Sequence, residues 1–334
     1  MKRPIVTVLG LGGTIAMTPS AEGGVVPALS AEMLVAAVPG LDELARVEAR
    51  SFRQMPGAHL MFDDLEELAG AIREIAARGA RGVVVTQGTD TIEESAFALD
   101  RLLDLDMPVI VSGAMRNPSL PGADGPANLL ASVQVAISEE ARGLGCLVVL
   151  NDEVHAARFV RKLHTSSPAA FGSPIGGPVG WVSEGRVRFG TRLKNIPPLA
   201  PEATRDARVG LVTIALADDG GHVRALLDHG VDGLVVAATG GGHVRPELAE
   251  ILGEAAGRMP VLLASRTGAG ETLERTYGFP GSEIDLLRRG LIRAGWLDGL
   301  KARILLTLLL RRGITDRDAV ARAFEPWGGG AADG

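Results

Sequence analysis

The sequence predicts an α/β protein, with a larger N-terminal parallel-sheet domain and a smaller C-terminal α/β domain, on three observations. Short β-branched runs alternate with stretches of helical periodicity. Apolar runs of that kind, separated by helices, are the pattern of parallel strands buried between helical layers. The alternation lapses once, in a proline-containing stretch, and then resumes.

The strands read in order as Ile5-Val6-Thr7-Val8-Leu9, Val83-Val84-Val85, Val109-Ile110-Val111 and Leu147-Val148-Val149-Leu150. Between them, Leu65, Leu68, Ile72 and Ile75 recur at helical spacing, as do Ile92, Ala96, Leu99 and Leu103, so each helix can lay an apolar face on the sheet. The lapse runs from Thr191 to Arg208 and holds Pro197, Pro198 and Pro201. The expected organisation is therefore residues 1–190 as a larger N-terminal α/β domain, 191–208 as a linker and 209–334 as the smaller domain. In the latter, strands are expected at Val209 to Leu216, Leu234 to Ala237 and Val261 to Leu263, with a helix opening near Pro246 and an apolar helix at Ile304 to Leu310. The terminal Gly328-Gly329-Gly330 is expected to fray.

Composition narrows the function. With 334 residues, 46% of them hydrophobic, the chain can bury two cores. Its 34 basic and 40 acidic residues are interspersed, giving a net charge of −6 and no basic face for nucleic acid or anionic lipid. Cys146 is the only cysteine, which excludes an intrachain disulfide or a cysteine-rich metal site, and its apolar setting reads as strand core. No histidine pair has metal-ligand spacing, and Trp181, Trp296 and Trp327 are too scattered for a stacking platform. The start, Met1-Lys2-Arg3-Pro4-Ile5, enters a strand without a signal-peptide core, and no run approaches a spanning helix, so a cytoplasmic protein acting on a small neutral or zwitterionic molecule is expected.

Ligands of open α/β sheets bind at the carboxyl ends of strands, and three of the loops there are unusual. The first, Gly10-Leu11-Gly12-Gly13-Thr14-Ile15-Ala16, lets backbone approach a ligand and presents a hydroxyl. A dinucleotide loop would lead at once into a helix, whereas Pro19, Gly23, Gly24 and Pro27 make the next segment a loop. The second, Thr86-Gln87-Gly88-Thr89-Asp90-Thr91-Ile92-Glu93-Glu94, carries Thr91 and Glu94 in capping-box spacing. Asp90 reads as a second cap or as part of a polar pocket beside a helix N-terminus. The third, Asn151 to Thr165, is densely polar. A lysine held there by a carboxylate beside a hydroxyl is suited to proton transfer and to activating an alcohol nucleophile. Spacing alone does not separate Lys162 from Arg161 or His164.

Together these loops resemble the bacterial-type L-asparaginase (asparaginase/glutaminase) family. The first resembles its Thr-Gly-Gly-Thr-Ile-Ala signature with Leu11 in place of the leading threonine, and the second its Gly-Thr-Asp-Thr-x-Glu-Glu signature. The likeness continues through Ser112-Gly113-Ala114-Met115-Arg116, Ala157-Arg158, Lys162-x-His164-Thr165, Ala170-Phe171-Gly172-Ser173-Pro174 and Gly177-Pro178, then Ser265-Arg266, Tyr277-Gly278 and Lys301-Ala302-Arg303. It covers nearly the whole chain.

The resemblance implies a flavodoxin-like or Rossmann-like larger domain and hydrolysis of the side-chain amide of L-asparagine to L-aspartate and ammonia. It also implies Thr14 as nucleophile, an acyl-enzyme, proton relay through Thr89 and Lys162, and Asp90 on the substrate ammonium, with no metal or cofactor. Backbone N–H groups near Thr14 and Gly88-Thr89 would steady the oxyanion, a contribution of about 3 kcal/mol per donor. The Ala114 carbonyl would receive the leaving amide. Homodimers or homotetramers, with sites between subunits, are implied as well.

Three departures bear on specificity. The segment Met17 to Leu29 lacks the tyrosine that the family's mobile loop usually carries. The Ser-Gln pair that grips the substrate's α-groups falls at Gly57-Ala58, with His59 adjacent. Gly240-Gly241-Gly242-His243 stands where a neighbouring subunit commonly supplies an asparagine. These leave open another preferred amide (L-glutamine, D-asparagine or a β-aspartyl peptide) or a non-catalytic amino-acid binding protein. The ammonia-producing subunit of a tRNA-dependent amidotransferase is the other enzyme alternative, and it would carry an extra N-terminal module before the first strand.

Overall fold

The computed structural model describes residues 3–19, 23–27, 29–200 and 202–331, so Pro201 and parts of the segment after Thr14 lie outside the described residues. The chain forms two compact units, divided between Pro198 and Leu199.

In the first unit the elements run β1 (Ile5–Gly10), β2 (Met17–Pro19), β3 (Val25–Pro27), α1 (Ala31–Ala36), α2 (Leu41–Leu44), β4 (Arg46–Ser51), α3 (Phe62–Ala77), β5 (Gly82–Thr86) and α4 (Ile92–Leu102). They continue as β6 (Val109–Ser112), α5 (Gly125–Ile137), β7 (Cys146–Leu150), β8 (Glu153–Ala156), β9 (Arg161–Lys162), β10 (Phe171–Gly172), β11 (Gly180–Ser183) and β12 (Arg186–Phe189). Eight strands make one sheet in the order β12-β11-β8-β7-β6-β5-β1-β4. The five from β4 to β7 are parallel, and β8, β11 and β12 extend the sheet antiparallel.

Successive strand residues face opposite sides, and both sides are covered. Val84, Ile110, Leu147 and Val149 share a cluster with Leu34, Leu41 and Leu129 from α1, α2 and α5. The alternate residues Val83, Val85, Val109, Val111 and Val148 are equally buried, on the side where α3 and α4 pack. Cys146 lies in this core, where burial, and then the charge of Asp100, pushes its thiol pKa well up, against any nucleophilic use.

The second unit runs β13 (Val209–Thr213), α6 (Gly221–His229), β14 (Gly233–Ala238), α7 (Pro246–Ala256), β15 (Val261–Ser265), α8 (Glu283–Arg288), β16 (Ile292–Arg293), α9 (Gly299–Arg311) and α10 (Arg317–Phe324). Its sheet, β13-β14-β15-β16, is parallel throughout. Among the described residues no helix is long and apolar enough to cross a membrane.

Several local expectations are corrected. The segment after Thr14 is not all loop, because Met17–Pro19 and Val25–Pro27 pair as an antiparallel hairpin; residues 20–22 and 28 lie outside the described residues. The strand expected to reach Leu216 stops at Thr213, and Leu216 is exposed in a turn closed by Ala217 at φ 63°. Gly328 to Gly330 is not frayed. Gly330 exchanges two backbone hydrogen bonds with Arg293, and Trp327 beside it is buried edge-on against Trp296.

Candidate active site

The carboxyl ends of β1 and β5 are joined through backbone. Leu11 N–H donates to the Thr86 carbonyl at 2.8 Å, extending the pairing one residue past the strand. Gly13 then turns with φ 84°, and a methyl group on it would lie 2.1 Å from the Gly88 nitrogen, so only glycine permits the approach. Gly57 closes the same cluster from a third segment, since a methyl there would lie 2.8 Å from the Gly88 carbonyl oxygen. The residues following two of these glycines are Thr14, half-buried at the start of a 3-10 turn, and Thr89, buried at the start of another.

The expected capping box at Thr91 and Glu94 does not form. The Thr91 side chain makes no cap hydrogen bond; its hydroxyl donates to the Gly57 carbonyl at 3.0 Å, which ties the Gly57–His59 turn to the Thr89 loop. Behind this, Gln87 donates to the Gly88 carbonyl at 3.3 Å and accepts from the Ser95 hydroxyl at 2.7 Å.

The β6 loop is fixed from α5. Asp124 accepts from the backbone of Met115 and Arg116, both at 2.9 Å, and Asn128 donates to the Gly113 carbonyl at 3.0 Å. A methyl group on Gly113 would lie 3.3 Å from Thr89 Cγ2, so this loop abuts Thr89, and Ala114 next to it is fully buried.

Lys162 arrives by a route the sequence did not suggest. Asn151 to Thr165 is not a loop at the carboxyl end of β7. Asn151 and Asp152, both at positive φ, reverse the chain, and β8 runs back antiparallel to β7 until Ala157 N–H meets the Cys146 carbonyl at 3.1 Å. From there residues 158–162 climb along α4, against its direction, guided by carboxylates of the 3-10 turn at Thr89–Thr91 and of the helix. Buried Arg158 lies 4.0 Å from Asp100, Arg161 lies 3.8 Å from Glu93, and Lys162 Nζ lies 2.7 Å from Asp90 Oδ1 and 3.0 Å from Thr89 Oγ1.

Of the three cations that spacing left open, Lys162 is thus the one placed on Thr89. Arg161 faces Glu93, and His164 Nδ1 accepts from the backbone of Ser166 and Ser167 at 3.1 and 3.0 Å, a local turn. The lysine side chain is 14% exposed and the Asp90 side chain 70% exposed. Asp90 therefore anchors the ammonium from the solvent side and keeps carboxylate lone pairs for a ligand. Below the β9–β10 hairpin, buried His155 hydrogen-bonds Ser173 at 3.0 Å, and burial lowers its pKa to about 4.

Of the residues expected to contact substrate, Gly88 and Ala114 lie beside Thr89, and Gly57 packs on Gly88. Ala58 and His59 are exposed on the turn that Thr91 ties down. Gln87, Ser95, Asp124 and Asn128 were not singled out from sequence. The available signal was a polar side chain at an otherwise buried strand or helix position, clearest for Asn128 and Ser132 in α5. Among the described residues no group of three or more His, Cys, Asp or Glu is gathered as a metal ion would need.

Residues 5–195 match the family model for the asparaginase N-terminal domain, and residues 208–324 that for the glutaminase/asparaginase C-terminal domain. The chain is 37% identical over 326 residues to a probable L-asparaginase of Deinococcus radiodurans, covering 96% of this chain and 97% of the relative. It is 30% identical to an L-asparaginase of Bacillus licheniformis, covering 93% and 98%. The crystal structure of a probable cytoplasmic L-asparaginase from Campylobacter jejuni superposes with a TM-score of 0.87 at 31% identity, covering 97% of this chain and 99% of that one. With both family models matched in order along one chain, and relatives 30% or more identical over nearly its whole length, this protein belongs to the bacterial-type L-asparaginase family of amidohydrolases.

Proposed function

We propose that the protein hydrolyses the side-chain amide of L-asparagine to L-aspartate and ammonia, with Thr14 as nucleophile. The observation that carries this reading is the Gly13–Gly88 contact, which brings the loops of Thr14 and Thr89 together while Lys162 Nζ sits 3.0 Å from Thr89 Oγ1. The Thr14 oxygen adds to the amide carbon, and the C–N bond breaks. The threonine proton is passed through Thr89 and Lys162 to the departing nitrogen, which leaves as ammonia. A water oxygen then adds to the ester carbon, the ester C–O bond breaks, and Thr14 recovers its proton by the same relay. Lys162 accepts one proton for each that it gives, so it ends each turnover as it began. Backbone N–H groups of the Gly13-Thr14 and Gly88-Thr89 turns face the oxyanion, and the Ala114 carbonyl receives the leaving nitrogen. Asp90 takes the substrate's ammonium group on its exposed side.

A second reading, an amidohydrolase preferring another amide, is favoured by Gly57. Any side chain there meets the Gly88 carbonyl at 2.8 Å, so the turn offers its backbone and His59 to the substrate instead of a serine hydroxyl. Ammonia release from L-asparagine, D-asparagine, L-glutamine and β-aspartyl peptides separates the two readings. Thr14→Ala that turns over L-asparagine at the parent rate would refute both. We also place the enzyme in the cytoplasm as a homodimer or homotetramer, the likeness to the Campylobacter jejuni protein supporting the location. Cell fractionation and light scattering test these two points.

A further inference from the structure

We propose that Glu93 is a positioning residue for the reaction, holding the Lys162 main chain so that the ammonium lands on Thr89. The inference rests on the role given to Lys162 above. Lys162 belongs to β9, a two-residue strand paired with another of two residues, β10. So short a ladder is a weak anchor for a side chain with four rotatable bonds, whose ordering is entropically costly.

Glu93 supplies the missing restraint. It is 6% exposed, and a carboxylate is rarely buried unless paired. Its Oε1 accepts from the Lys162 backbone N–H at 3.4 Å, and its Oε2 lies 3.8 Å from Arg161 Nε. Asp90 and Glu93 are three residues apart across the start of α4 and so share a face. One helix start thus grips the lysine at both ends, Asp90 on Nζ and Glu93 on the main chain.

The plainer role for Glu93 is that of an acidic residue in the first turn of a helix, stabilising α4 through its dipole. The two roles need different things from the side chain. Dipole stabilisation needs the charge, whereas the grip needs an acceptor oxygen at glutamate's reach. Steady-state ammonia release from L-asparagine, normalised to folded protein, is compared for the parent, Glu93→Gln, Glu93→Asp, Glu93→Ala, Lys162→Met and the Glu93→Ala/Lys162→Met pair.

Glu93→Ala and Glu93→Asp are expected to lose about ten- to a hundredfold in kcat with KM changed less than about twofold, because a lysine displaced by about 1 Å transfers protons poorly. Glu93→Gln is expected to keep kcat within about threefold of the parent, and the double variant to be no worse than Lys162→Met. Parent-like kcat in Glu93→Asp and Glu93→Ala while Lys162→Met is impaired overturns the positioning role alone. Equal loss in Glu93→Gln and Glu93→Asp does the same, and if Glu93→Ala does not fold this pair decides. Full activity in Lys162→Met overturns the reading of the lysine itself.

Discussion

The two sides of the site are held in different ways. The threonine side is built from backbone: Gly13, Gly57 and Gly88 pack without side chains, and Thr14 and Thr89 follow from where strands β1 and β5 end. The lysine side is built from side chains: Asp90, Glu93 and Asp100 face Lys162, Arg161 and Arg158 as the chain climbs along α4. Backbone contact tolerates no added volume and is indifferent to charge. A row of ion pairs tolerates volume and depends on protonation. On the proposed mechanism the nucleophile would then be placed rigidly and the proton relay adjustably, which suits an atom that must form a bond and a group that must move a proton.

The largest expected effect falls on the lysine side. Lys162→Met should lower kcat about a thousandfold, within the range for losing a general acid–base group, while leaving the melting temperature nearly unchanged, because the Asp90 left behind is solvated. Coupled ammonia assays and calorimetry on one preparation check both parts.

Next comes a pH effect beneath the same hairpin. The His155 pKa in the folded chain is about 4 because burial disfavours its charged form, against about 6.5 when unfolded. As pH falls below 6.5 the unfolded chain takes up this proton first. The stability His155 contributes is complete above pH 6.5, drains away between 6.5 and 4, and falls no further below that. The full loss is about 3 kcal/mol. Denaturant melts at pH 7 and pH 4.5 should differ less in His155→Gln than in the parent, and an unchanged difference would remove His155 as the source.

On the threonine side, Gly13→Ala should cost about 2 kcal/mol and roughly a hundredfold in kcat, because the residue is at φ 84° and its methyl would overlap Gly88. Raised salt should not rescue it, since no charge is involved. Thr91→Val, which removes the hydroxyl's bond to the Gly57 carbonyl and the longer one it accepts from Gln87 Nε2, should cost about 1 kcal/mol and act through KM more than kcat. If Gly13→Ala proved mild and Thr91→Val severe, the turn at Gly57 and not the Gly13 contact would be what sets the threonine loops.

What could be read from sequence follows the same division. Strands β1, β5, β6 and β7 are apolar because both faces are buried, so periodicity revealed them, and the strand-end rule then led to Thr14 and Thr89. Lys162 could not be told from Arg161 or His164, because the choice depends on how residues 158–162 register against α4, a tertiary contact that leaves no period in the sequence. Thr91 illustrates the limit of local rules. Its spacing with Glu94 suits a capping box, yet a carbonyl from 34 residues earlier takes its hydroxyl. The glycines near the C-terminus misled in the same way, since their small size serves close packing on Arg293 and Gly295.

Acid-quenched turnover of L-asparagine by the parent enzyme, followed by peptide mapping by mass spectrometry, examines the nucleophile directly. An aspartyl ester should be found on the peptide that contains Thr14, on that residue, and should be absent from Thr14→Ala. An adduct on any other residue, or parent-like ammonia release from Thr14→Ala, would contradict the assignment.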